Sequence, residues 1–159
     1  MRRRPDPSPI DEIAVRPGEL DFRQPLGRFL IMLFRQFEDE LLAGLRERGH
    51  ARINASDFNV LRFVDPRGIS GAEVAKLAGV SKQAISRQVA ALERARLVAR
   101  KGSPNDQRAK VIVFTKKGER LVRDAIDVIR QIERRYDAAL GEGELDRLKV
   151  QLGRLISSD

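Results

Sequence analysis

Cysteine is absent from the 159-residue chain and histidine occurs once, as His50. Without a thiol there can be no disulfide, thiolate metal site, redox-sensing thiol or cysteine nucleophile. A single imidazole likewise excludes any metal centre that needs two histidine ligands. The sequence offers no glycine-rich phosphate loop and no pair of acids in a recognisable catalytic setting, so no nucleophile or acid-base pair can be assembled. It reads as non-enzymatic, with no cofactor and no metal. Long apolar runs are missing too, none approaching the roughly 20 residues of a membrane-spanning helix. The basic residues 1–4 lead into Pro5, Pro7 and Pro9 instead of an apolar signal segment. A cytoplasmic protein with no membrane partner is expected.

What the chain does have is positive charge, unevenly placed. It carries a net +8 with 34% charged residues, beside 42% apolar residues that suffice for one packed core. Between Pro66 and Lys110, ten Lys or Arg residues stand against only Glu73, Glu93 and Asp106, which accounts for +7 of the +8. Charge so concentrated on one short segment seeks an extended polyanion, and double-stranded DNA is the partner that rewards it.

Residues 1–25 hold five of the seven prolines and little periodicity, so a flexible N-terminal arm is expected there. Its Arg2-Arg3-Arg4 cluster could touch phosphates, although a solvated tail is the simpler reading. Residues 26–48 repeat apolar side chains every three or four positions and predict a long amphipathic helix, closed by Gly49. Asn54 or Ser56 can cap a second helix that Pro66 and Gly68 end. Ser70, with Glu73 three residues on, opens a third helix to Gly79. Ser81 caps a fourth, running to about Arg96 with Ile85, Val89 and Leu92 inward.

Residues 97–101 and 109–114 are rich in Val and Ile and predict a hairpin with a long polar tip. Thr115 caps a fifth helix to about Leu140, its apolar side drawn through Leu121, Val122, Ala125, Ile126, Ile129, Ile132 and Tyr136. Leu145, Leu148, Leu152 and Leu155 mark a last amphipathic helix.

Helix 70–78, the turn Gly79-Val80-Ser81 and helix 82–96 have the proportions of a helix-turn-helix. With Ile85 at the centre of the buried face, a rotation of about 100° per residue puts Gln83, Arg87, Ala90 and Arg94 on the opposite side, with Ser86 beside them. Gln can pair bidentately with adenine and Arg with guanine, while Ser81 and Lys82 at the helix start suit phosphate. Polar residues opposite an apolar face are what any surface helix has. The basic hairpin that follows, with Lys101 on its first strand and Arg108 near its tip, shifts the balance towards a groove reader with a minor-groove probe. Asp106 is read as the residue that orients Arg108 through a charge-assisted pair.

The stretch VAKLAGVSKQAISRQVAALERARLV followed by NDQRAKVIVFTKKGERL resembles the MarR family of winged helix-turn-helix regulators. Asp106-Gln107-Arg108 matches that family's wing motif, and Thr115-Lys116-Lys117-Gly118 its strand-to-helix junction. The resemblance covers roughly residues 26–156 and implies a mainly α fold with a small β-hairpin wing. The winged helix-turn-helix would span about residues 55–114, and the helices of about 26–49 and 115–156 would form a dimerisation platform. It implies a homodimeric, sequence-specific repressor on a pseudo-palindromic operator, released by a small aromatic or anionic effector. In the crevice between platform and DNA-binding heads, Arg46, His50 and Arg52 are the polar candidates for that effector. The competing reading is a non-specific architectural DNA binder, which shares the charge but needs no groove-reading stripe.

Overall fold

In the computed structural model, residues 25–102 and 110–157 are described. The wing-tip pair Asp106 and Arg108, and the expected arm up to residue 24, lie outside them. Two units divide between Asp39 and Glu40, within the first helix, α1 (Leu26–Glu47). In the first unit the helix carries Leu30, Ile31, Met32, Leu33 and Phe34 exposed to solvent.

The second unit begins with the end of α1, where Leu41, Leu42 and Leu45 are buried. Gly44 lets this stretch approach the fifth helix closely, since a Cβ there would lie 2.7 Å from Val128 Cγ1. A single 3-10 turn, Ala55–Asp57, leads into the short α2 (Phe58–Leu61). Asn54 supplies the cap: its Oδ1 accepts the Ser56 N–H at 2.9 Å, while Asp57 Oδ2 accepts the Asn54 N–H at 3.0 Å. Burial lifts the Asp57 carboxyl above its ordinary pKa, and that backbone bond pulls it partly back.

The second helix is therefore shorter than its apolar pattern suggests. It ends at Leu61, where the Phe63 N–H reaches back to the Val60 carbonyl at 3.0 Å, and a separate turn follows at Asp65–Gly68, in which Asp65 Oδ1 accepts the Arg67 N–H at 2.7 Å and its carbonyl accepts the Gly68 N–H at 3.0 Å. Gly68 sits at φ +85 with Val113 and Val111 packed against it, so the chain turns tightly enough to enter a strand.

That strand, β1 (Ile69–Ser70), is absent from the sequence expectation. It pairs antiparallel with β3 (Lys110–Phe114), Ile69 opposite Ile112, and β3 pairs with β2 (Val98–Gly102), giving the sheet order β1-β3-β2. A two-residue strand is too short for any period to register. Between β1 and β2 run α3 (Gly71–Ala78) and α4 (Lys82–Arg94). Ser70 Oγ accepts the Glu73 N–H and Ser81 Oγ the Ala84 N–H, each at 3.1 Å, and Gly79 takes the left-handed turn at φ 65. Val74, Ala75, Ile85, Val89 and Leu92 close the angle between the two helices.

The fourth helix ends at Arg94 rather than Arg96, because Arg96 itself adopts a left-handed φ of 59 and reverses the chain into β2. The long α5 (Lys116–Leu140) buries Leu121, Val128 and Ile132, a seam at i, i+7 and i+11. Val128 replaces the expected Ile126, which is exposed. The helix carries a second apolar stripe through Val122, Ile126 and Ile129, and alternation of apolar residues alone could not rank the two.

The last helix, α6 (Glu144–Ile156), half-buries Leu145, Leu148 and Leu152 and fully buries none of its residues. It is pinned to α5 by polar contacts: Asp137 Oδ1 accepts the Leu145 N–H at 3.2 Å, and Lys149 Nζ lies 3.0 Å from Glu133 Oε1. No helix among the described residues is long and apolar enough to cross a membrane.

Candidate nucleic-acid interface

Helix α4 sits with Ile85, Val89 and Leu92 in the core and Ser81, Lys82, Gln83, Ser86, Arg87 and Arg94 exposed. Ala90 is half-buried. Capped at Ser81 and held by three core side chains, the helix presents its polar stripe on a rigid rod, so the spacing of Gln83, Ser86 and Arg87 is set by the backbone. Donors on such a rod are the kind that can meet base edges in a major groove.

The sheet divides the remaining cations. Successive residues of a strand point to opposite faces. Arg100 and Lys110 accordingly join Lys82 and Ser86 around a small cavity of about 130 Å³ on the α4 side. Lys101 instead lines a cavity of about 470 Å³ with Pro66, Phe114 and Arg123 on the α5 side. Sequence reasoning chose Lys101 and passed over Arg100 and Lys110, although the period-2 alternation from buried Val98 carries the signal. Arg100 is partly committed: its Nη1 donates to Glu93 Oε2 at 2.7 Å, and its backbone N–H donates to Glu93 Oε1 at 3.2 Å. Glu93 thus fastens the end of α4 to β2.

A second lock holds the same corner. Thr115 Oγ1 donates to the Arg96 carbonyl at 2.5 Å and in turn accepts the Gly118 N–H at 3.1 Å as the cap of α5. Lys117 Nζ donates to the Ala95 carbonyl at 2.9 Å, and the Thr115 N–H donates to the Leu97 carbonyl at 3.0 Å. The orphan carbonyls at the end of α4 therefore find their donors in the first turn of α5. Thr115, Lys117 and Gly118 are joints between the reading helix and the long helix.

The three residues proposed for an effector separate. Arg46 is exposed and lines none of the cavities described here. His50 Nε2 and Asp124 Oδ2 lie 2.6 Å apart, tying the segment after α1 to α5, with only 14% of the His50 side chain exposed. His50 and Arg52 both border a cavity of about 550 Å³ beside the C-terminal end of α4. Among the described residues no group of three or more His, Cys, Asp or Glu side chains could hold a metal ion.

A helix-turn-helix flanked by a three-stranded sheet, with long helices on either side in sequence, defines a winged helix-turn-helix DNA-binding protein. The profile of the MarR family matches residues 53–109. A solved structure of the Mycobacterium tuberculosis MarR-family protein Rv2887, in complex with p-aminosalicylic acid, is 30% identical. The match covers 84% of this chain and 99% of that one with a TM-score of 0.62. CouR from Rhodococcus jostii RHA1, solved bound to p-coumaroyl-CoA, matches with a TM-score of 0.67 at 23% identity over 84% of this chain and 93% of its own. Apo MarR from Escherichia coli matches with a TM-score of 0.66 at 23% identity over 82% and 96%. No curated protein sequence matches the chain. The chain belongs to the MarR family: it is a DNA-binding transcriptional regulator and not an enzyme.

Proposed function

We propose that this regulator is a cytoplasmic, homodimeric repressor that reads a pseudo-palindromic operator and lets go of it when a small organic molecule binds. The observation that carries the reading is the exposed Lys82, Gln83, Ser86, Arg87 and Arg94 stripe of α4 beside a basic sheet. Each protomer lays α4 in a major groove, two grooves about 34–36 Å apart being read by the pair. Gln83 and Arg87 contact base edges, and Ser81, Lys82 and Ser86 contact phosphate. From the sequence alone, Arg108 is assigned to the minor groove with Asp106 orienting it. Lys101 lies on the sheet face away from α4, and Arg100 and Lys110, on the α4 face, are assigned to the backbone beside the groove. Repression needs only that the occupied operator overlap a promoter.

Dimerisation is supported by apolar surface with no cover. Ile156 is 82% exposed and Leu155 63%. The 13-residue α6 half-buries Leu145, Leu148 and Leu152 but leaves its last turn uncovered, so α6 calls for a second surface. Leu155→Glu combined with Ile156→Glu leaves a lone protomer unperturbed but places charges in a dimer seam. Sedimentation at micromolar concentration is expected to find monomer for this variant and dimer for the parent. Dimer in both would remove α6 from the interface.

The reading is tested with a fluorescent duplex from the DNA flanking the protein's own gene. Unrelated duplex is expected to compete at least about 10³-fold less well than the unlabelled site. Equal competition would leave an architectural binder. In the same assay Lys82→Ala is expected to weaken all duplexes evenly and to flatten the salt dependence by about one unit of slope. A loss confined to one sequence would place Lys82 on a base instead.

A further inference from the structure

Glu93 is an acid on the reading helix itself, in the segment where positive charge predominates. Both of its carboxylate oxygens are committed to one residue: Oε2 accepts from Arg100 Nη1 at 2.7 Å, and Oε1 accepts the Arg100 backbone N–H at 3.2 Å. β2 is an outer strand in the order β1-β3-β2, so a backbone donor on its free edge needs an acceptor from elsewhere, and Glu93 supplies it. Among the described residues between Pro66 and Lys110, Arg100 is the one cation joined to an acid. Lys82, Arg87, Arg94, Arg96 and Lys110 form no salt bridge there. The acid therefore singles out the arginine that shares a small cavity with Lys82, Ser86 and Lys110.

We infer that Glu93 is a specificity-determining residue that acts through Arg100, holding its charge back from DNA in general and aiming it at one phosphate of the operator. The inference rests on the reading of α4 as the groove reader. An unclamped arginine can follow phosphates in any register on its long side chain, which adds affinity without sequence information. A carboxylate in contact with the guanidinium offsets that attraction. The pair uses Nη1, and the guanidinium keeps further donors on Nε and Nη2. Because strand backbone and side chain hang on the same carboxylate, those donors hold a set place beside Lys82, Ser86 and Lys110. A duplex whose groove admits α4 in full brings a phosphate to that place, and a poorly seated one does not. Arg100 thus strengthens the operator complex through preorganisation and contributes little to the others.

The test compares the parent, Glu93→Gln, and the double variant Glu93→Gln with Arg100→Gln by fluorescence anisotropy across a salt series. The probes are a duplex enriched by the parent from a random pool and an unrelated duplex of the same length. Gln has the shape of Glu and keeps an oxygen for the Arg100 N–H, so the strand stays tied while the ion pair is lost. Glu93→Gln is expected to tighten the unrelated duplex about threefold or more near about 0.1 M salt, with a salt dependence steeper by about one unit of slope. The enriched duplex is expected to change less, so that discrimination falls. The double variant has the net charge of the parent. It is expected to bind unrelated duplex as the parent does and the enriched duplex about tenfold more weakly, through the lost charge-assisted bond. A fraction of unfolded chain would lower both affinities alike, so the ratio and the salt slope report on the clamp and not on stability. Unchanged discrimination in Glu93→Gln overturns the role of Glu93, as does a double variant that loses equally on both duplexes or on neither. If the parent enriches no sequence, the reading of α4 fails and this role with it, whereas a discriminating parent matched by its variants removes the role of Glu93 alone.

Discussion

Replacing Gly118 by alanine is expected to destabilise the folded chain by about 3 kcal/mol, at the upper end of what an overpacked methyl costs. A Cβ at this position would penetrate the carbonyl oxygen of Leu97 and lie 2.9 Å from Phe114 Cδ1. The first obstacle is backbone, fixed by the bond from the Thr115 N–H to the same carbonyl, and cannot rotate away. Relief requires α5 to move off the corner where α4 passes into β2, which breaks the Thr115 and Lys117 bonds as well. Urea denaturation followed by circular dichroism, at matched protomer concentration, measures the loss as a lowered midpoint. An unchanged midpoint would mean that the junction is looser than its geometry. The glycine at the start of α5 is thus explained by the approach of the Leu97 backbone just before β2, where helix propensity alone would prefer alanine.

Arg87→Ala is expected to weaken operator binding about 10- to 100-fold while leaving affinity for unrelated duplex within about threefold, the behaviour of a bidentate base contact worth about 1–3 kcal/mol. The expectation rests on exposure and rigidity together. Arg87 stands one turn after Gln83 and two residues before buried Val89, on a helix capped by Ser81 and anchored at its far end by Glu93 and Lys117. Its side chain makes no ion pair among the described residues, so no salt bridge is lost with the substitution. Fluorescence anisotropy on matched and unrelated duplexes separates the outcomes. A uniform drop on both would place Arg87 on phosphate, and no drop would remove it from the interface.

Much of this architecture was legible in the sequence because capping and periodicity are local. Ser70, Ser81 and Thr115 were read as helix starts and each accepts the expected N–H. The inner face of α4 follows from Ile85, Val89 and Leu92 by rotation alone, and the outer stripe with it. What was not legible depends on distant partners. Strand β1 exists because β3 offers an edge to Ile69 and Ser70, which no pattern of two residues can announce. The choice of Val128 over Ile126 is made by the close approach of Gly44, far away in sequence.

The candidate site divides in the same way. The exposed positions on α4 follow from helical rotation alone, while the face that Lys101 occupies depends on how the strands pair, which charge along the sequence does not carry. The separation of Arg46 from His50 and Arg52 has the same origin. These residues are near in sequence, but Arg46 belongs to α1, and the segment after Gly49 turns towards the end of α4. The cavity there combines residues from three separate stretches, 49–57, 91–97 and Lys117, and the joint formed by Lys117 only acquires meaning once the end of α4 lies beside it.

The central claim is that paired α4 helices read base sequence, and selection of bound duplexes from a random pool tests it most directly. The account predicts enrichment of two inverted half-sites whose centres lie about one helical turn, 10–10.5 base pairs, apart. A recovered pool with no sequence preference over the starting one would contradict it and reduce the basic segment to a non-specific clamp.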